Sequence, residues 1–128
     1  LPGTNRASDR FARASFYINA VPKTEDAKKA VAEVFSIIRS VSVPIGISVP
    51  GQPNIASTIW RTVHDQKNRL FYFDSATSPN VFWVTLDELD LKEGSPVKKL
   101  TVAGDKNHSG NVAAKFEPAE PFKFLPGR

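Results

Sequence analysis

The 128-residue sequence contains no cysteine, no methionine and only two histidines. The absence of cysteine excludes disulfides, thiolate metal sites and a cysteine nucleophile within these residues. Because there is no methionine, Leu1 is not an unprocessed translation start, and we expect residues to have been removed before it. No apolar run approaches the ~18 residues that span a bilayer, and no charged-then-apolar leader opens the sequence, so we expect no membrane partner.

Charge of either sign is moderate, with 17 Lys and Arg against 13 Asp and Glu and a net charge of +4. Nucleic-acid binders usually concentrate their cations on one face or run. Here the adjacent basic pairs, Lys28-Lys29 and Lys98-Lys99, have acidic residues close by. This pattern is typical of an ordinary solvated surface, and we expect no nucleic-acid partner.

Large apolar side chains are plentiful, including nine Phe, two Trp and two Tyr. They supply enough apolar surface for a core and argue against disorder. A chain of this length usually forms one domain that buries roughly two-thirds of its unfolded surface. We therefore predict a single unit over residues 1–128.

Two helices are predicted near the start. The first covers about residues 8–20, with Ser8 or Asp9 as its N-cap and Pro22 just beyond its end. A strand is the alternative, because apolar residues between positions 12 and 18 also alternate. The apolar face of this helix comprises Phe11, Ala14, Ser15 and Ile18.

The second helix is predicted over about residues 25–39, with Thr24 as its cap candidate and acidic residues in its first turn. Its apolar residues recur at helical spacing. The segment 48–56 contains two prolines and a glycine, which predicts a connecting loop.

The hydrophobic period changes to two near Ser57, which predicts strands over 57–65, 69–75 and 80–86. Short links between them favour an antiparallel meander. A weaker fourth strand is predicted over 97–102. Beyond Gly104 the sequence is rich in turn residues, and three prolines discourage regular elements near the end. The result is an α+β fold, in which two helices cover one face of the sheet.

The other sheet face is also apolar. Its prominent members are Phe71, Phe73, Phe82 and Val84. A sheet covered on both faces needs another layer, and few elements remain in the chain to supply one. The sequence therefore suggests an incomplete unit.

Few residues point to chemistry. His64 and Asp65 are neighbours in a predicted strand, so they point to opposite faces and make a poor acid–base pair. His108 lies in a turn-rich stretch, and two distant histidines predict no metal site. Arg10 stands in the first turn of the first helix, where a cation opposes the helix dipole. A salt bridge to Asp9 or Glu25 would explain it without function, but a cation placed against local preference also hints at a role.

Residues 1–16 resemble the LPG-x5-[SD]-RF-x-RA segment of the choloylglycine hydrolase family, which includes bile salt hydrolases and penicillin V acylases. Further matches follow in order and bring the resemblance to about residue 102. They are VFSII with SVP, STIWRTV with DQKN, LFYF and NVFWV. Thr4 departs from the LPGD form of Gram-positive members, so the chain is more similar to the Gram-negative branch of penicillin V and homoserine-lactone acylases.

This resemblance implies part of an αββα sandwich of a cysteine N-terminal-nucleophile hydrolase, which cuts linear amide bonds of N-acyl substrates. It implies that Arg10 supports the nucleophile, with a weaker functional claim for Arg13. The nucleophile is absent here, so the chain resembles the C-terminal portion, active only with the N-terminal portion as its partner. The resemblance also implies no cofactor or metal, a bacterial source and a homo-oligomer of the full enzyme. Its Gram-negative character favours a periplasmic over a cytoplasmic location. An autonomous small basic α+β binding module, with nucleic acid as one candidate ligand, is the alternative function.

Overall fold

The computed structural model describes residues 1–51 and 56–127. The main elements lie in chain order: α1 (Ala7–Ala20), α2 (Ala27–Ser40), β1 (Trp60–Asp65), β2 (Leu70–Ser75), β3 (Val81–Thr85), β4 (Lys98–Lys99), β5 (Gly110–Asn111) and β6 (Glu117–Pro118). The predicted α+β order is confirmed. The predicted loop over 48–56 falls partly on residues outside the described ranges.

Helix α1 begins one residue earlier than predicted, and its N-cap is different. Arg6 occupies the cap position without a side-chain hydrogen bond, so Ser8 and Asp9 are inside the first turn rather than caps. None of its side chains is buried. The predicted apolar face points outward, with Phe11 75% and Ile18 65% exposed. Helix α1 packs on α2.

Helix α2 forms the contact with the sheet. Its N-cap is Asp26, whose carboxylate accepts from the backbone N–H of Lys29 at 3.1 Å, so the prediction of Thr24 as cap was wrong. Asp26 is the N-cap because its side chain reaches the backbone amide of Lys29, at the N3 position. Phe35 and Ile37 are buried, and the Phe35 ring meets Tyr72 of β2 edge-on at 6.1 Å.

Strands β1, β2 and β3 form the predicted antiparallel meander. Their register places Arg61 opposite Asp74 and Phe73 opposite Phe82. Alternation in β1 holds as predicted, since Val63 is buried while Trp60, at 57% exposed, points to the other face.

The outer strands differ from prediction. The segment predicted as a fourth strand, 97–102, contributes only β4, which pairs with β6 in a separate two-stranded sheet. The fourth place in the main sheet belongs to β5, which runs parallel to β3. Strand β6 includes Pro118, where we expected no regular element. A proline is tolerated there because this short strand has one partner and so leaves one edge without ladder bonds.

The second face of the sheet is covered in part by the C-terminal segment. Phe82 and Val84 pack around the fully buried Val112, together with partly buried neighbours. These neighbours are Phe73, Leu89, Leu100, Ala113 and Phe116. This small core buries the face of β3 that carries Phe82 and Val84, and the C-terminal segment rather than a further sheet supplies the cover. In the described ranges, neither helix is long and apolar enough to cross a membrane.

Candidate active site

A cleft of about 650 Å³ lies at the start of α1. Its walls are residues 3–10, together with Val49 and Ala56 from the connection between α2 and β1. Arg10 therefore lies at a concave surface and not on an open face of the helix. The cleft combines backbone of the LPGT loop with polar side chains of the first helical turn.

Arg13 anchors the loop that forms one wall of this cleft. Its Nη1 donates to the carbonyl oxygens of Pro2 at 2.7 Å and Thr4 at 2.9 Å. Two bonds from one cation hold the loop against α1, and charge-assisted bonds of this kind are stronger than neutral ones. The second arginine of the RF-x-RA segment thus holds the N-terminal loop against α1.

The same loop meets α1 through Thr4. Its hydroxyl donates to the Asp9 carboxylate and accepts from the backbone N–H of Arg6. The hydrogen bond from Thr4 holds the pKa of Asp9 below its ordinary value, with smaller contributions in the same direction from Ser8 and Arg6. Asp9 therefore stays ionised beside the cleft.

Arg10 makes a different contact from the salt bridges considered for it. Its Nε donates to the carbonyl oxygen of Val41 at 2.7 Å, in a partly buried position. Val41 is the C-cap of α2, where carbonyl groups lack helical partners and the dipole is negative. The cation that opposes the N-terminus of α1 thus lies at the C-terminus of α2, where the same dipole argument favours it.

Next to Val41 lies an ionic cluster that sequence reasoning missed. Asp74 is only 5% exposed, and its Oδ2 accepts from Arg61 Nη1 at 3.1 Å and Arg39 Nε at 3.0 Å. Arg61 also donates from Nε to the Ser42 hydroxyl at 2.8 Å. One signal was available: Arg61 lies two residues before the buried Val63 in β1 and so shares its inward face, where a charge needs a partner.

The histidines lie outside this site. His64 is exposed and its ring packs on Phe71 at 4.7 Å, while Asp65 accepts instead from the backbone and side-chain amides of Asn68. His108 contacts the carbonyl oxygen of Thr101 at 2.8 Å. In the part of the chain that the structure describes, no cluster of three or more His, Asp or Glu residues could hold a metal ion.

Known proteins share the sequence pattern and the fold of this chain. A family model described as linear amide C–N hydrolases, choloylglycine hydrolase family, matches residues 1–105. The chain belongs to this family.

Two similar proteins are both described as penicillin V acylases. The chain is 46% identical to a penicillin V acylase of Pectobacterium atrosepticum, over 97% of this chain and 37% of that protein. The solved structure of penicillin V acylase from Agrobacterium tumefaciens is 55% identical, with a TM-score of 0.90 over 98% of this chain and 40% of that one. The chain thus spans about two-fifths of the length of these relatives. Both organisms agree with the predicted similarity to the Gram-negative branch.

Proposed function

We propose that residues 1–128 are the C-terminal portion of a cysteine N-terminal-nucleophile amidase. The substrates are N-acyl amides, with penicillin V as the first candidate because both relatives described above are penicillin V acylases. Conjugated bile salts and acyl-homoserine lactones are the further candidates within the family. The partner is the N-terminal portion of the same enzyme, which carries the nucleophile.

In this proposal the cysteine sulfur attacks the amide carbonyl carbon, and the cysteine's own α-amine accepts the thiol proton. The amine half of the substrate then leaves with a proton returned from that α-amine, and water releases the acyl group from sulfur. Arg10 stays protonated at working pH, so it acts by its charge and hydrogen bonds rather than as an acid or base. A cation beside the thiol favours the thiolate and raises the reactive fraction.

The observation that carries the proposal is the way Arg10 is held. Its Nε donates to Val41, and the Arg10 side chain makes no other hydrogen bond to the described residues. The two Nη groups are thus available to an incoming group at the wall of the cleft. A guanidinium whose Nε is bonded and whose two Nη groups are free can donate to a thiolate or to a substrate carbonyl oxygen.

One exposed strand edge supports the proposed partner. Strand β1 is at the edge of the main sheet and pairs only with β2 within the described ranges. Beside it, Ile59 and Trp60 are more than half exposed. An edge strand with large exposed apolar side chains is a template for further strand pairing. In this proposal the N-terminal portion of the enzyme packs against this edge.

The experiment is a chimera in which residues 1–128 replace the matching 40% of the Agrobacterium acylase. We expect the chimera to hydrolyse penicillin V. Arg10→Ala should lower kcat/KM by about tenfold to a thousandfold, if the lost transition-state stabilisation is ~1.4–4 kcal/mol. Arg10→Lys should restore part of the activity, because a point charge lacks the planar fork.

The matched control is Lys23→Ala, which removes an exposed cation from the link between α1 and α2. It should leave kcat/KM unchanged. A pH titration of cysteine alkylation should show a higher thiol pKa in Arg10→Ala than in the parent chimera. Full activity of Arg10→Ala with an unchanged thiol titration would remove the role proposed for Arg10.

A further inference from the structure

The carbonyl that holds Arg10 belongs to a turn that is itself held from several sides. Residues 41–43 follow α2 directly, and Val43 is buried. The backbone N–H of Val43 donates to the Thr58 hydroxyl at 2.9 Å, and the Thr58 N–H donates to the Val43 carbonyl at 3.0 Å. This pair of bonds fixes the exit of the turn to the residues just before β1.

The middle of the turn is fixed through Ser42. Its hydroxyl donates to the Ile38 carbonyl at 2.8 Å and accepts from Arg61 Nε at 2.8 Å. One side chain therefore bridges the last turn of α2 and strand β1. A hydroxyl has one proton and two lone pairs, so both bonds are satisfied at the same time.

Arg61 is fixed in turn by Asp74. The two residues are register partners on β1 and β2, and a bond of 3.1 Å joins Arg61 Nη1 to Asp74 Oδ2. Both side chains are largely withdrawn from solvent, at 18% and 7% exposed. This pair is tightly held, because separating it would leave the largely buried Arg61 without its carboxylate partner.

These contacts form one continuous path from the sheet to the cleft. It runs from Asp74 to Arg61, to Ser42, along the backbone to Val41, and to Arg10. We propose that Ser42, Arg61 and Asp74 are positioning residues for Arg10, which fix the direction in which its guanidinium meets the cleft. The inference deepens the proposed function, since it takes Arg10 as the residue that acts there.

The test observes the Arg10 side chain directly. Arginine-selective ¹⁵N labelling of the chimera makes its Nε–H visible by NMR, and its signal is assigned by its loss in Arg10→Lys. We expect exchange of this proton with water to be about threefold to tenfold faster in Ser42→Ala, as fits the loss of one ordinary hydrogen bond. Arg61→Lys should have the same effect, because it keeps a charge for Asp74 and loses the donor to Ser42.

Arg39→Lys is the matched control. The Arg39 side chain shares the Asp74 oxygen but is half exposed and makes no hydrogen bond to Ser42. The backbone bond from the Ser42 N–H to the Arg39 carbonyl is retained in this variant, so the Arg10 exchange rate should not change. The backbone amides of β2 in each variant report whether the fold is intact. An unchanged Arg10 exchange rate in a folded Ser42→Ala chimera would overturn the inference.

Activity supplies the second arm. If Ser42 acts through Arg10, Ser42→Ala should lower kcat/KM in the parent chimera and have little further effect in Arg10→Ala. If Ser42→Ala lowers kcat/KM by the same factor with and without Arg10→Ala, the positioning role is contradicted. An inactive chimera with the expected exchange rates would refute the proposed function and leave the positioning role intact. An active chimera that needs Arg10, but whose Arg10 exchange rate is the same in all variants, would support the proposed function and refute the positioning role.

Discussion

Arg10 belongs to α1, but its side chain binds the C-terminal end of α2. Sequence places it in the first turn of α1, where its charge is locally unfavourable by some tenths of a kcal/mol. Its Nε reaches the C-cap carbonyl of α2 at 2.7 Å, where a cation is favourable by a similar amount. The two dipole contributions offset each other, so the position costs little. The residue is then held in place by the contact between the helices.

Asp9 gives a pH prediction at the same scale. Its pKa is lowered chiefly by the hydrogen bond from Thr4. A lowered folded-state pKa means that the ionised carboxylate favours the folded state. This contribution is present above the ordinary value of about 3.9 and is lost as the pH falls through the folded-state pKa.

We therefore expect Thr4→Val to raise the Asp9 pKa towards its ordinary value, as followed by carboxyl ¹³C chemical shifts during an acid titration. Asp65 is the internal control, because its pKa is lowered by Asn68 and should not respond. An Asp9 titration that is the same in both proteins would refute this assignment.

At the scale of elements, α2 is the helix that organises the chain. Asp26 caps its start, and its last turns are closed by Ser40 and Ser42, which donate to the carbonyls of Ile37 and Ile38. With both ends satisfied, the helix can carry α1 on one side and the sheet on the other. Its stability bears directly on the position of Val41.

Substitution of the cap tests this dependence. Asp26→Ala should lower the free energy of unfolding by about 1 kcal/mol, because the Lys29 amide loses its acceptor. Asp26→Asn should retain most of the stability, since asparagine caps helices about as well as aspartate. Urea unfolding followed by circular dichroism distinguishes the two variants, and equal losses would show that the cap hydrogen bond is not the cause.

At the scale of the whole molecule, the cover of the sheet is uneven. The second face is closed over β3 by the Val112 core, but it is open over β1, where Trp60 is exposed. On the helix side, a groove of about 690 Å³ remains beside α2, with Phe35, Tyr72 and Trp83 in its walls. The outer face of α1 adds Phe11 and Ile18 to the exposed apolar surface. These surfaces fit a unit that packs against further protein.

This predicts the behaviour of residues 1–128 by themselves. They should bind the dye ANS and self-associate in light scattering, because large exposed apolar patches promote association. Replacing Phe11 and Ile18 together by serine should reduce both signals, whereas Phe122→Ser, in the exposed tail, should reduce them less. A strictly monomeric chain without dye binding would contradict this expectation and weaken the proposal of a missing partner.

Sequence alone determined the local features of this protein. The change from helical to alternating period placed two helices before three antiparallel strands, because those periods follow from backbone geometry. The ordered RF-x-RA and aromatic segments also gave the family and selected Arg10. Such features depend on residues close together in the chain.

Tertiary structure decided the features that depend on distant residues. The parallel place of β5, the pairing of β4 with β6 and the outward face of α1 all follow from long-range packing, which outweighs weak local preferences. The bond from Arg10 to Val41 joins residues 31 positions apart, and Arg39 and Asp74 lie 35 apart. No local pattern encodes these distances. The sequence was sufficient to select Arg10, but only the folded chain showed that the Val41 carbonyl holds it.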